Sequence, residues 1–279
     1  MKVFNTKNAL KEHLNALRAA GKTVGFVPTM GALHQGHLSL LERARQECDV
    51  TVCSIFVNPT QFNDPKDLEK YPRPIEADIQ KLEAAGCDVL FNPEVNEMYA
   101  GNENWHLDIG ELETLLEGKF RPGHYQGVTQ VVNKLFSIVE PNKAFFGQKD
   151  YQQVMVIRRM IQVLDTPVQL VMCPIEREPD GLAMSSRNIH LTETDRQHAL
   201  VLSQALFEAK SSFENGAALS DVQRRAAELI SSEGDTQLEY FELADGKTLK
   251  PAQAGSDSIV ALVAAQVGKT RLIDNVIIR

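Results

Sequence analysis

His34 and His37 stand three residues apart in the stretch Pro28-Thr-Met-Gly-Ala-Leu-His-Gln-Gly-His37, where a strand-like run over residues 23–27 gives way to a helical pattern starting near Leu38. At that spacing two imidazoles can face one anion and donate hydrogen bonds to oxygens whose negative charge grows during chemistry at phosphorus. Gly31 and Gly36 permit a tight turn or a close backbone approach to a ligand, and the N–H groups that open the helix attract an anion. These features point to nucleotide phosphate chemistry. The competing chemistry for His-x-x-His is metal ligation, but the helical protease motif needs His-Glu-x-x-His, and Gln35 and Gly36 supply no carboxylate base. A lone histidine would be read as an ordinary surface or core residue. Two glycines at a strand-to-helix junction favour the anion site.

Three further stretches carry polar groups at element ends. Asn58-Pro-Thr-Gln-Phe62 follows a predicted strand directly, which puts Gln61 where ligands gather in open α/β sheets. Gly147-Gln-Lys-Asp-Tyr-Gln-Gln153 occupies the equivalent turn after Phe145 and Phe146, offering Lys149 to a phosphate and Gln153 to a polar substrate group. In Gly181-Leu-Ala-Met-Ser-Ser-Arg-Asn188, the Ser185 and Ser186 hydroxyls can donate, and Arg187 can neutralise phosphate in a geometry Lys does not reproduce. Each alone also reads as a solvated loop, and Ser-Ser-Arg-Asn as an N-cap and turn.

The elements that must position these groups alternate. Thr6 is a plausible N-cap for a helix carrying Leu10, Leu14 and Leu17, with Gly21 as its stop. After the His turn, a helix to about Glu47 leads into the apolar, β-branched run 50–57, which suits a central parallel strand. A loop over 58–71, a helix over 75–85 capped by Gly86 and a short strand at 89–91 follow. Residues 92–121 read as a partly mobile excursion with a short strand at 105–109. A helix over 127–139, a strand at 143–146, a helix over 151–164 and a strand at 168–173 complete a Rossmann-like, doubly wound parallel sheet over residues 1–175. Residues 176–279 predict a smaller α+β lid domain, with the Met-Ser-Ser-Arg loop at the junction. In it, Thr192 starts a helix to about Asn215, another helix covers 219–232, and strands at 237–243, 258–267 and 271–278 form an antiparallel sheet.

Composition narrows the class. With 43% hydrophobic and 24% charged residues the chain is an ordinary globular protein, not a disordered one. A net charge of −8 gives no basic footprint for nucleic acid. No run approaches a membrane span, and the start Met-Lys-Val-Phe-Asn-Thr-Lys-Asn has no apolar signal core. Cys48, Cys53, Cys87 and Cys173 lack Cys-x-x-Cys spacing and read as reduced cytoplasmic thiols.

His34-Gln-Gly-His37 resembles the His-x-Gly-His signature of the nucleotidyltransferase and class I aminoacyl-tRNA synthetase superfamily. Taken together, residues 28–37, 58–62, 147–153 and 184–188, with the closing Arg271-Leu-Ile-Asp-Asn275, closely resemble the pantothenate synthetase family over nearly the whole chain. The resemblance implies ATP-dependent joining of pantoate to β-alanine through a pantoyl adenylate, in a homodimer, with magnesium. It implies ATP contacts through Met30, Gly31, Ala32, Leu33, His34, Gln35, Gly36, His37, Gly147, Gln148, Lys149, Asp150, Glu176, Met184, Ser185, Ser186 and Arg187. Gln61 and Gln153 then hold the substrate acid, and His37, His34 and Lys149 are the catalytic candidates. The family usually has Glu where this chain has Gln148.

The chemistry of these residues fits that reaction. Pantoate carboxylate must attack the α-phosphorus of ATP, so the anion must be aligned and the charge moving onto pyrophosphate accommodated. The cationic and hydroxyl groups suit the second task, with His37 the leading donor and the candidate general acid. Neutral Gln61 and Gln153 suit the first because they orient a carboxylate without blunting it. Pro28, Met30, Phe56, Phe62, Val131 and Val132 are candidates to enclose the branched carbon or, alternatively, plain core. Asp78 and Asp150 are acidic candidates for magnesium, with cap or surface charge the alternative, and Arg121, Pro122, Gly123 and His124 form a loop that could meet β-alanine. The other readings are an adenylyltransferase with a phosphorylated acceptor, a non-catalytic nucleotide sensor and a metal hydrolase.

Overall fold

The computed structural model describes residues 1–99, 101 and 103–279, with the side chain of Asp67 left aside. It divides into two compact units, residues 1–147 with 153–173, and residues 148–152 with 174–279. Residues 148–152, expected with the first domain, thus group with the second unit.

In the first unit six parallel strands lie in the order β1-β4-β3-β2-β5-β6: β1 (Lys2–Phe4), β2 (Val24–Thr29), β3 (Val50–Ile55), β4 (Val89–Phe91), β5 (Lys143–Gly147) and β6 (Gln169–Cys173). The chain moves outward from β2 through β3 to β4, then returns to place β5 on the other side of β2. That reversal lies beside the carboxyl end of β2, where open α/β sheets bind ligands. The helices are α1 (Lys7–Ala19), α2 (Gln35–Glu47), α3 (Pro65–Lys70), α4 (Ile75–Ala84), α5 (Val95–Met98), α6 (Glu117–Phe120), α7 (His124–Val139) and α8 (Tyr151–Val163). Successive β2 side chains point to opposite faces. Phe26 meets Phe136 of α7 edge-on, whereas Val27 joins Leu40, Leu41 and Ala44 of α2 and Leu82 of α4 in a buried cluster.

Four sequence expectations are corrected. β1 was not foreseen; it pairs with β4 from Lys2↔Val89 to Phe4↔Phe91. The expected loop over 58–71 contains a 3-10 turn, Pro59–Gln61, and α3, whose start is capped by the Asp64 side chain with Pro65 just inside. The strand expected at 105–109 is absent. There the Gln126 side chain takes the part of a neighbouring strand, accepting from Leu107 N–H at 3.0 Å and donating to its carbonyl at 3.0 Å. Finally, α7 begins at His124, three residues early, because Gly123 at φ +79° turns the chain into it. The excursion expected over 92–121 spans Ala100 and Asn102, which lie outside the described residues.

The second unit holds the antiparallel sheet β7-β8-β9, formed by β7 (Thr236–Asp245), β8 (Ile259–Val267) and β9 (Thr270–Ile277). Helices α9 (Glu193–Glu214) and α10 (Leu219–Ser231) cover it through Leu202, Leu206, Val222 and Ile230. Asp195 completes a capping box with Thr192 although it is not the usual Glu: each side chain accepts the other's backbone N–H. All four cysteines are unpaired. No helix among the described residues is long and apolar enough to cross a membrane.

Candidate active site

The His turn follows β2 directly. Gly31 and Ala32 both take left-handed backbone, at φ +83° and +51°. A Cβ on Gly31 would stand 3.0 Å from Ile55 Cγ2 and 3.1 Å from Asp78 Oδ2, so glycine is needed there for both conformation and space. Ala32 tolerates its strained conformation because Asp78 holds it. The Asp78 carboxylate, 1% exposed on α4, accepts the backbone N–H of Ala32 at 2.7 Å and of Leu33 at 2.8 Å. Lys81, one turn further along α4, donates to the Leu33 carbonyl at 2.6 Å. Asp78 is therefore engaged by the turn itself, which gives it a use other than magnesium ligation. Asp78→Ala leaves two N–H groups without their acceptor and is expected to cost about 3 kcal/mol in urea unfolding. A change below roughly 0.5 kcal/mol, the range of an ordinary surface substitution, would contradict this role.

The turn delivers His34 to the N-cap of α2 and His37 to its first turn. The two side chains cap reciprocally: His34 Nδ1 accepts Gly36 N–H at 3.2 Å, and His37 Nδ1 accepts His34 N–H at 3.3 Å. Their ring centroids are 4.1 Å apart. An Nδ1 that accepts cannot carry the proton of a neutral imidazole, so in each ring that proton is on Nε2. Both rings are half-buried donors at the positive end of a helix. Gln35 is exposed, and Met30 half-buried.

Gln61 closes the Pro59–Gln61 turn beyond β3. Its Nε2 donates to Met30 Sδ at 3.2 Å, and its Oε1 accepts from Asn58 Nδ2 at 3.1 Å. Asn58, 1% exposed, was missed as a site residue. Its Oδ1 accepts from Tyr99 Oη at 2.7 Å and its Nδ2 also donates to the Gly127 carbonyl at 3.2 Å, so the Gln61 amide is held with its NH2 end away from Asn58. The sequence signal was Asn directly before Pro at a strand's carboxyl end, an Asx turn as well as a contact. His124, 5% exposed, lies with Nδ1 2.8 Å from the Gln61 carbonyl, and Arg121 Nη1 is 3.2 Å from its Nε2. This pair therefore braces the Gln61 turn, while Pro122 and Gly123 are exposed. Phe56, Val131 and Val132 are buried and Pro28 and Phe62 half-buried in this unit. Gln153 is half-buried in the first turn of α8.

In the second unit, Lys149 lies in the 3-10 turn Gln148–Asp150 just after Gly147. Its Nζ is 3.8 Å from Asp150, whose side chain is 48% exposed. Glu176 and Met184 face each other across a hairpin, Met184 N–H donating to the Glu176 carbonyl at 3.0 Å. Ser185 caps the 3-10 turn Ser186–His190 by accepting Arg187 N–H at 3.2 Å, which leaves its own O–H able to donate. Met184, Ser185, Ser186 and Arg187 are half-buried. Arg177 forms a two-pronged ion pair with Asp274, at 2.7 and 3.0 Å. Burial pushes the Asp274 carboxyl above its ordinary range, and Arg177 pulls it back. Among the described residues no group of three or more His, Cys, Asp or Glu is placed to hold a metal ion.

Known proteins resemble the chain over its whole length. The chain is 48% identical over 278 residues, 99% of its own length and 98% of the other's, to the pantothenate synthetase of Bacteroides thetaiotaomicron. It superposes on the pantothenate synthetase of Thermus thermophilus with a TM-score of 0.95 at 41% identity, covering 100% and 99% of the two chains. With the pantoate–β-alanine ligase of Francisella tularensis, solved with β,γ-ATP and β-alanine, the TM-score is 0.83 at 37% identity, covering 99% and 97%. The model of one family spans residues 2–277, and with it the His turn, the Gln61 turn and both loops of the second unit: the chain belongs to the pantoate–β-alanine ligase family.

Proposed function

We infer that the chain condenses pantoate with β-alanine at the expense of ATP, giving pantothenate, AMP and pyrophosphate through an enzyme-bound pantoyl adenylate. Family membership over residues 2–277 carries this reading. The reciprocal His34–His37 cap supports it, because it supplies two oriented Nε2 donors at a helix N-terminus. In the first step a pantoate carboxylate oxygen bonds to the α-phosphorus and pyrophosphate leaves with the electrons of the broken P–O bond. In the second the β-alanine amine attacks the activated carbonyl, AMP departs with the bridging oxygen, and the ammonium proton is lost to solvent.

The roles assigned are these. His37 and His34 donate to phosphate oxygens as charge moves towards the leaving group. Lys149, Ser185, Ser186 and Arg187 contribute cationic and hydroxyl contacts to ATP. Gln61 presents its NH2 end to pantoate, and Gln153 a second amide. Magnesium enters as part of the nucleotide substrate, since this ion keeps to phosphates and few carboxylates; Asp150, exposed beside Lys149, is a carboxylate available to it. A homodimer and a cytoplasmic location rest on the family resemblance and the sequence alone.

The test is AMP release from magnesium ATP, with pantoate and β-alanine each omitted in turn. AMP and pantothenate should appear in equal amounts in the full mixture. ATP binding without AMP in that mixture would sink the reading in favour of a sensor, and AMP transfer to a phosphorylated acceptor in favour of another adenylyltransferase.

A further inference from the structure

Asn275 is 1% exposed in β9, and every polar atom of its side chain is engaged. Nδ2 donates to two consecutive backbone carbonyls, Gln148 and Lys149, at 2.9 Å each, while Oδ1 accepts from Gln148 Nε2 at 3.1 Å. The two backbone carbonyls, which can only accept, fix which way the Asn275 amide faces, and the Gln148 Nε2 donor then pairs the remaining Oδ1, which an ionised carboxylate at position 148 would not do. The preceding residue, Asp274, is 5% exposed and reaches the other loop of this unit. Besides taking both prongs of Arg177, it accepts Asn275 N–H at 2.7 Å. Arg177 in turn donates to the Gly181 carbonyl at 3.1 Å and is bridged to Ala183, the residue before Met184-Ser-Ser-Arg187.

We propose that Asp274-Asn275 is a clasp that positions the Lys149 turn against the loop leading to Ser185–Arg187, with Asn275 acting on the reaction through Lys149. The proposal rests on the ligase reading above. No substrate contact is assigned to either clasp residue; both are positioning residues. The one-residue step from Asp274 to Asn275 sends one side chain to each loop, because successive strand residues point to opposite faces. The buried polar atoms of the clasp are all paired, which is the condition for such a network to hold one geometry.

Asn275→Asp tests this with little change of shape: it replaces both donors by oxygen facing two carbonyls. Its kcat/KM for ATP should fall about 100-fold while KM for pantoate stays within about threefold, since a displacement near 1 Å costs on this order. In that background Lys149→Ala should cost less than about threefold further, against about 100-fold in the parent, because two residues acting through one path are not additive. Losses that multiply, or a folded Asn275→Asp protein as active as the parent, would overturn the clasp. Should Asn275→Asp melt below assay temperature, Asn275→Ala is read through the same cycle. Melting of both overturns the proposal by making Asn275 a determinant of folding. A parent without pantoate-dependent AMP release would sink the ligase reading itself, and is scored before any variant.

Discussion

His37→Ala is expected to slow pantoate-dependent adenylate formation by about 10²- to 10³-fold, the cost of removing one donor aimed at developing charge. ATP affinity should move by less than about tenfold, because the helix N-terminus and the other ATP contacts bind ground state and transition state alike. The variant also removes the acceptor of His34 N–H, so part of the effect could come from a loosened α2 terminus. His37→Gln separates the two. Gln at the third helical position can take the reciprocal cap but lacks an imidazole donor. Equal loss in both variants, measured by single-turnover AMP formation, assigns the effect to His37 Nε2. Recovery to near-parent rates in His37→Gln would assign it to the cap and contradict the donor role.

Gly127→Ala should be comparably severe by a different route. The Gly127 position in α7 packs straight onto the Pro59–Gln61 turn: an added Cβ would overlap the Thr60 carbonyl oxygen and stand 2.8 Å from Gln61 Cα. Both are backbone atoms, so no side-chain rotation relieves the overlap. Helix or turn must shift by about 1 Å, enough to lower kcat by roughly 10²-fold when it moves a substrate-aligning group. Overpacking of this kind costs about 3 kcal/mol of stability as well. The loss should appear in kcat/KM for pantoate more than in ATP affinity. Unchanged pantoate kinetics in a folded variant would show that Gln61 is not held from α7.

What the sequence made legible, and what it did not, divides on physical lines. The parallel sheet was readable because β2, β3 and β5 are long enough to show buried apolar runs, and their helices carry periodic leucines and valines. β1 has three residues, too few for a period, and is recognisable only by its partner β4. The run at 105–109 alternates as a strand does, with Leu107 and Ile109 buried, but its pairing partner is the side chain of Gln126, which no local pattern announces. α3 did carry a signal, since Asp64-Pro65 is a helix start as well as a turn.

The site divides in the same way. The His turn is contiguous, so its residue types and glycines make it a candidate phosphate site from sequence alone. What holds the turn is remote: Asp78 lies 46 residues from Ala32 in sequence. Asn275 lies 126 residues from Lys149. A carboxylate that accepts two backbone N–H groups looks in the sequence like any first-turn helix acid, the role expected of Asp78 as the alternative to a metal ligand. Arg121 and His124 read as a solvated or substrate-facing turn, yet His124 is buried against the Gln61 carbonyl.

The central claim is that pantoate is activated through its own carboxylate oxygen at the α-phosphorus. Pantoate labelled with ¹⁸O in the carboxylate tests it in one turnover with magnesium ATP and β-alanine, read by mass spectrometry of the nucleotide product. The account predicts AMP carrying one labelled oxygen and pantothenate retaining the other. Unlabelled AMP, or label in phosphate with ADP as the nucleotide, would contradict it.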